Sequence, residues 1–168
     1  VTNLFKESAT EIIAPDYTVR NQFIDVTYNL LCNGKFIIME LKDAHKSYSE
    51  DGIVLILDRK KGFLNFPKEA LDMIAQMIPT IKDGDELAAI LKACKSIYCT
   101  DNGARQITIS GRRLAFYSIY LSELGDDILR IIRYIDNIEF FMLPEEVPEN
   151  FIPLVWFRGL RAGIVLDG

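Results

Sequence analysis

The sequence predicts an α+β domain whose antiparallel, β-rich front half is packed with helices, and three observations carry that expectation. Two β-favouring runs, Gln22 to Leu31 and Lys35 to Lys42, flank Asn33-Gly34, the strongest short hairpin signal. Two further runs, Ile53 to Asp58 and Gly62 to Phe66, are joined by the basic turn Arg59-Lys60-Lys61. Apolar residues then recur at helical spacing after Pro67, Asp85 and Asp126.

Taken in order, the chain opens with a short helical or irregular stretch to Ala14, and Pro15-Asp16 reads as a turn. A two-residue turn between Cys32 and Lys35 sets Asp25 opposite Lys42 and Thr27 opposite Glu40. Pro67 suits a first helical position, with Leu71, Ile74, Ala75 and Ile78 on one face until Pro79 ends the run. A second helix, about Asp85 to Lys95, buries Leu87, Ile90, Leu91 and Cys94 and feeds a short strand, Ser96 to Thr100. After a turn at Asn102-Gly103, Gln106 to Ser110 reads as strand, while Arg113 to Leu124 fits helix or strand, with Tyr117 and Tyr120 favouring strand. Gly125 interrupts, Asp126 is placed to cap, and Ile128, Ile131, Ile132 and Ile135 form an apolar stripe. From Glu139 onward the chain is strand-like, interrupted by Pro144, Pro148 and Pro153.

Composition bounds the function classes. The 168 residues suit one domain over 1–168, and 49% hydrophobic with 26% charged residues leaves no room for a long disordered tail. Apolar runs such as Ile53 to Leu57 are far shorter than the roughly 20 residues of a membrane helix, and no signal peptide is expected. A net charge of -5 argues against a chain whose main work is wrapping nucleic-acid phosphates. Cys32, Cys94 and Cys99 contain no CxxC, and His45 lies far from them in sequence. A zinc site would therefore need a carboxylate, and neither metal nor other cofactor is expected. Reduced thiols in an intracellular protein are the simpler reading. A chain that begins at Val1 and ends just past an apolar run reads as a domain cut from a longer protein.

The front hairpin invites a catalytic reading. In the register above, Asp25, Glu40 and Lys42 converge on one face, and Asp followed by Glu-x-Lys resembles the PD-(D/E)xK nuclease core. That resemblance implies carboxylates holding a divalent ion and a lysine orienting the attacking water. Equally, the three residues are the wet, charge-paired face of an amphipathic hairpin whose other face is Ile24, Val26, Tyr28, Leu30, Ile37, Met39 and Leu41.

A second resemblance covers most of the chain and is sharpest at its end. Ile135-Asp136-Asn137-Ile138, Met142-Leu143-Pro144-Glu145, Pro148 and Phe157-Arg158-Gly159-Leu160-Arg161 are similar in order and spacing to the end of the orthomyxovirus polymerase basic protein 2 cap-binding domain. Upstream, Asp85 to Leu91 running into Ile97-Tyr98 resembles that family's middle helix and following strand. An insertion around Pro67 to Pro79 and a shortening near Asn102 to Gly111 mark a divergent member, as in the thogotovirus branch. The resemblance implies a noncatalytic module of a viral RNA-dependent RNA polymerase. It would serve cap-dependent priming (cap snatching) of viral transcription, with other polymerase subunits and host capped RNA as partners, in the virion and host cell nucleus. As an isolated domain it is expected to be monomeric.

Such a domain holds methylated guanine, a cationic flat ring, between two planes, reads its edge with an acid and meets the triphosphate with basic residues. By this resemblance one stacking ring falls at Tyr98, which is also readable as a packed strand residue, and the phosphate contacts fall at Arg59, Lys60 and Lys61, also readable as a solvated turn. The opposite plane falls near Leu30 and the base-reading acid at Gly34, neither of which has the chemistry. Weak or absent intrinsic binding of 7-methylguanosine is therefore expected. Arg112, Arg113, Arg130, Arg133, Arg158 and Arg161 are candidates for a basic surface, and Trp156 for a core or subunit contact.

Overall fold

In the computed structural model, residues 13–44, 52–98, 104–109, 111–142, 146–157 and 160–166 are described, without the side chains of 155–157 and 160. The first element is a helix, α1 (Tyr17–Cys32), where the sequence predicts a strand. Asp16, expected in a turn, is its N-cap: one carboxylate oxygen accepts from the Thr18 and Val19 amides at 3.1 and 3.2 Å. Val19, Phe23, Thr27, Leu30 and Leu31 form its buried face at helical spacing. Asn33-Gly34 ends the helix instead of turning a hairpin. Gly34 sits at φ +79° and its amide reaches the Leu31 carbonyl at 3.3 Å, the left-handed stop that glycine provides at a helix C-terminus. The pairing of Asp25 with Lys42 and of Thr27 with Glu40 is therefore not formed.

Strand β1 (Phe36–Glu40) instead runs parallel to β2 (Ile53–Asp58), which forms the expected antiparallel hairpin with β3 (Phe63–Phe66). The α+β class stands, but the wholly antiparallel front half does not. Helices α2 (Lys68–Gln76) and α3 (Gly84–Ala93) follow close to the predicted positions, with Pro67 at the cap of α2 rather than its first residue. Then come β4 (Ala104–Ile109) and β5 (Arg112–Tyr120), which settles the ambiguous run from Arg113 as strand, with a 3-10 turn at Leu121–Glu123. Helix α4 (Gly125–Arg133) buries Ile128, Ile131 and Ile132, and its N-cap position is Leu124, so Asp126 lies inside the first turn. A 3-10 turn at Ile135–Asn137 leads to β6 (Glu139–Phe141), β7 (Phe151–Phe157) and β8 (Leu160–Val165).

Two sheets result, one of five strands in the order β1-β2-β3-β5-β4 and one of three in the order β6-β8-β7. Strand alternation divides the larger sheet into two faces. Phe36, Ile38, Leu55, Leu57, Leu64, Phe66 and Ile119 join the buried side chains of α1 to α4 in one core. Burial at about 1.5–3 kcal/mol for each large apolar side chain is what holds the helices there. The second face carries a smaller cluster, Ile37, Met39, Ile56, Ile107 and Phe116, with Ala162 of β8 against it. Among the described residues no helix is long and apolar enough to cross a membrane.

Candidate functional site

Helix α3 ends where Lys95 takes a left-handed backbone, φ 59°. The chain then turns alongside the end of β5: Ile97 bridges Ile119, and the Tyr98 amide donates to the Ser118 carbonyl at 2.8 Å. Ile97 thus points into the helical core, and alternation puts Tyr98 on the second face beside Ser118 and Tyr120. Phe63 pairs with Tyr120 in the neighbouring ladder and Asn65 with Ser118, so two aromatic and two polar residues occupy adjacent rows.

These residues form a continuous cluster around Phe63. Tyr98 and Tyr120 pack on it with ring centroids 5.3 and 5.4 Å away, both tilted, and the Arg105 guanidinium lies 5.0 Å from the ring centre. Phe63 is only 6% exposed and Tyr98 is 40% exposed, so Tyr98 is the rim of the cluster. Beneath the rings, Arg105 Nε donates to Ser118 Oγ at 2.7 Å, and Ser118 Oγ donates to Asn65 Oδ1 at 2.5 Å. Arg105 also reaches Asn65 Oδ1 at 3.3 Å, and Asn65 Nδ2 donates to the Ile56 carbonyl at 2.9 Å. Asn65 and Ser118 are fully buried, and this network satisfies their polar atoms.

The basic turn lies at the same end of the sheet. The Gly62 carbonyl accepts from the Leu121 amide at 2.9 Å, which ties the turn to the end of β5, and Asp58 Oδ1 caps the turn at the Lys61 amide, 3.1 Å. Arg59 turns away from Tyr98's face: its Nε pairs with Glu40 at 2.9 Å and Nη2 donates to the Ile132 carbonyl at 2.9 Å. Lys60 and Lys61 are exposed. Chemically, the arrangement offers one accessible stacking ring with two exposed ammonium groups on a nearby turn.

The remaining expected groups are not brought to Tyr98. Leu30 is buried within α1, and Gly34 sits in the helix stop, where an added Cβ would meet the Pro153 ring at 3.0 Å. Tyr28, one of the rings nearest in sequence to the missing second plane, is on α1 and lines a different cavity with Cys32 and Arg130. The nuclease set is also dispersed: Asp25 is exposed on α1, Glu40 is held by Arg59, and Lys42 lies in the 3-10 turn Leu41–Asp43. Among the described residues no group of three or more His, Cys, Asp or Glu is placed to hold a metal ion. Cys94 is buried and Cys32 half-buried, while His45, Cys99 and Arg158 lie outside the described residues.

Phe63, Tyr120, Arg105, Asn65 and Ser118 escaped the sequence reading. The available signal was Asn65 inside the apolar run Phe63 to Phe66, because a polar residue in a strand expected to be buried needs partners. No protein-family model and no curated protein matches the chain.

Proposed function

We propose that this chain is a cap-binding-like module of an orthomyxovirus RNA polymerase, with a degenerate cap site and weak or absent intrinsic affinity for 7-methylguanosine. Support for the module is the sequence resemblance, sharpest from Ile135 to Arg161. The observation that carries the degenerate site is the rim position of Tyr98: one exposed ring, backed by Phe63, Tyr120 and Arg105, with neither a facing ring at Leu30 nor an acid at Gly34. Loss of a second stacking plane and of the base-edge acceptor each removes about 1–3 kcal/mol. Together that is a loss of affinity of about thirtyfold to more than ten-thousandfold. Lys60 and Lys61 retain a non-specific attraction for phosphate, which screening weakens at physiological salt.

In this reading the domain works as a noncatalytic structural surface within the polymerase, in the virion and the host nucleus, and its partners are other polymerase subunits. The test is a reconstituted polymerase carrying Tyr98→Ala, assayed for cap-primed and primer-independent transcripts. Equal yields from the variant and the parent are expected for both products. Selective loss of the cap-primed product would overturn the degenerate-site reading and make Tyr98 a working cap contact.

A further inference from the structure

Strand β5 outruns its neighbour β3. The last pair between them is Phe66 with Tyr117, and Pro67 then takes the chain out of the sheet as α2 begins, its carbonyl accepting from the Ala70 and Leu71 amides at 3.0 and 3.4 Å. On its other side β5 stays paired with β4 as far as Arg112. From Arg112 to Phe116, β5 is therefore a strand edge inside the five-stranded sheet.

Nearby hydrogen bonds fix which groups this edge presents. The Tyr98 amide donates to the Ser118 carbonyl and the Tyr120 amide to the Ser96 carbonyl, both on the β4 side, whereas the Leu121 amide donates to the Gly62 carbonyl on the β3 side. Backbone groups alternate between the two sides of a strand, and the β4–β5 ladder runs without a register shift. Ala115 and Arg113 thus turn their N–H and C=O groups toward the side that β3 has left, where among the described residues no strand pairs with them. A cavity of about 420 Å³ opens alongside, between Leu114 and Ala115 of this edge and Val54 and Ile56 of β2, with Met39 as a further apolar wall.

These features select an extended polypeptide. Donors and acceptors repeated at strand spacing are complementary to another backbone, which is the basis of recognition by strand addition. A residue opposite Leu114 points to the same face as Leu114, into the apolar cavity. Its neighbours, opposite Ala115 and Arg113, point to the other face, that of Tyr117 and Ile119, on which α2 packs. There Arg113 and Glu69 are exposed, and among the described residues neither has an ion-pair partner.

We propose that this edge docks an extended segment of a partner protein, which adds to β5 as an antiparallel strand in line with β3. Read from its N-terminus, the segment carries a basic residue opposite Ala115 and beside Glu69, an apolar residue in the cavity opposite Leu114, and an acidic residue opposite Arg113. The site is separate from the cap-site reading and does not depend on it.

The experiment is an NMR titration of the isotope-labelled chain with the amidated peptide Thr-Lys-Leu-Glu-Val-Thr, followed at the backbone amides. Circular dichroism confirms that each variant is folded. Saturable shifts are expected, concentrated at Arg113, Ala115 and Val54. N-methylation of the peptide's lysine and glutamate amides, which face β5, should weaken binding at least tenfold. Ala115→Pro should do the same, because it removes an edge donor without touching the β4 ladder. Arg113→Glu, at an exposed position, should weaken binding at least fivefold, and a peptide with lysine in place of its glutamate should restore it. No saturable binding by the folded chain overturns the proposal, as does binding that the N-methylated peptide and Arg113→Glu leave intact. Binding seen only after residues 45–51 are replaced by a Gly-Ser linker would assign the edge to the chain's own segment instead. A dimer in sedimentation that Ala115→Pro dissociates would assign it to a second copy of the chain; either result overturns the partner segment.

Discussion

Arg105 holds the aromatic cluster and the buried polar pair together, so replacing it by methionine should measure what that junction is worth. The substitution keeps an unbranched stem over Phe63 and removes the guanidinium. One charge-assisted hydrogen bond of 2.7 Å to Ser118 disappears, worth about 1.5–3 kcal/mol. The cation–π contact at 5.0 Å from the Phe63 ring adds about 0.5–1 kcal/mol. The longer contact to Asn65, 3.3 Å, adds little. Arg105→Met should therefore cost about 2–4 kcal/mol, which at about 2–4 °C per kcal/mol for a chain of this size lowers Tm by roughly 4–16 °C. Urea unfolding followed by circular dichroism gives the free energy directly. A double-mutant cycle with Ser118→Ala should show a coupling of about 1–2 kcal/mol, because both changes remove the same bond. A loss below about 0.5 kcal/mol for Arg105→Met, or an additive cycle, would refute the claim that this network fixes the ring cluster.

Three further outcomes follow from the fold. Gly163→Ala would drive its Cβ into the Ile152 carbonyl oxygen and the Phe151 ring, where backbone cannot yield, so thermal melts should show a loss of about 1–3 kcal/mol or more. Asp16→Ala removes the N-cap of α1 and should cost about 1 kcal/mol in urea, with Asp16→Asn close to the parent. Burial, reinforced by nearby Asp85, raises the Tyr117 hydroxyl above its ordinary value, and burial likewise raises the Cys94 thiol. Both folded-state values are raised, so the fold favours the protonated forms: their stability contribution is full below the unfolded values and is lost as pH rises through the folded ones. Denaturant stability should thus be level up to about pH 8 and fall as pH climbs past about 9 and 10, less steeply in Tyr117→Phe. A rise in stability over that alkaline range would contradict the sign.

Much of the architecture was legible because its signals were local. Pro67 with the Leu71, Ile74, Ala75 and Ile78 spacing marked α2, and the Ile128, Ile131 and Ile132 stripe marked α4. The strands Ile53–Asp58 and Phe63–Phe66 were bounded by charged turns. Helix α1 was misread because Ile24, Val26, Tyr28 and Leu30 alternate as a strand would, and β-branched and aromatic residues favour that state in isolation. The competing helical series Val19, Phe23, Thr27, Leu30 and Leu31 prevails because the sheet buries that stripe, and Asp16 and Gly34 punctuate its ends. Asn-Gly supplies a left-handed residue to a hairpin and to a helix stop alike, so the dipeptide alone could not distinguish them. At the site, Tyr98 was visible as a residue type in a strand-like run. Its neighbours Phe63 and Arg105 were not, because strand order β3-β5-β4 brings together positions far apart in the chain.

In the proposed cap-binding-like module, the cap site would offer one ring, Tyr98, and lack its second plane and its acid. A calorimetric titration of the folded chain with 7-methylguanosine triphosphate, against unmethylated GTP, tests it most directly. The account predicts no preference for the methylated ligand, and heats that Tyr98→Ala leaves unchanged. Saturable binding that prefers the methylated ligand at least tenfold and disappears in Tyr98→Ala would contradict it.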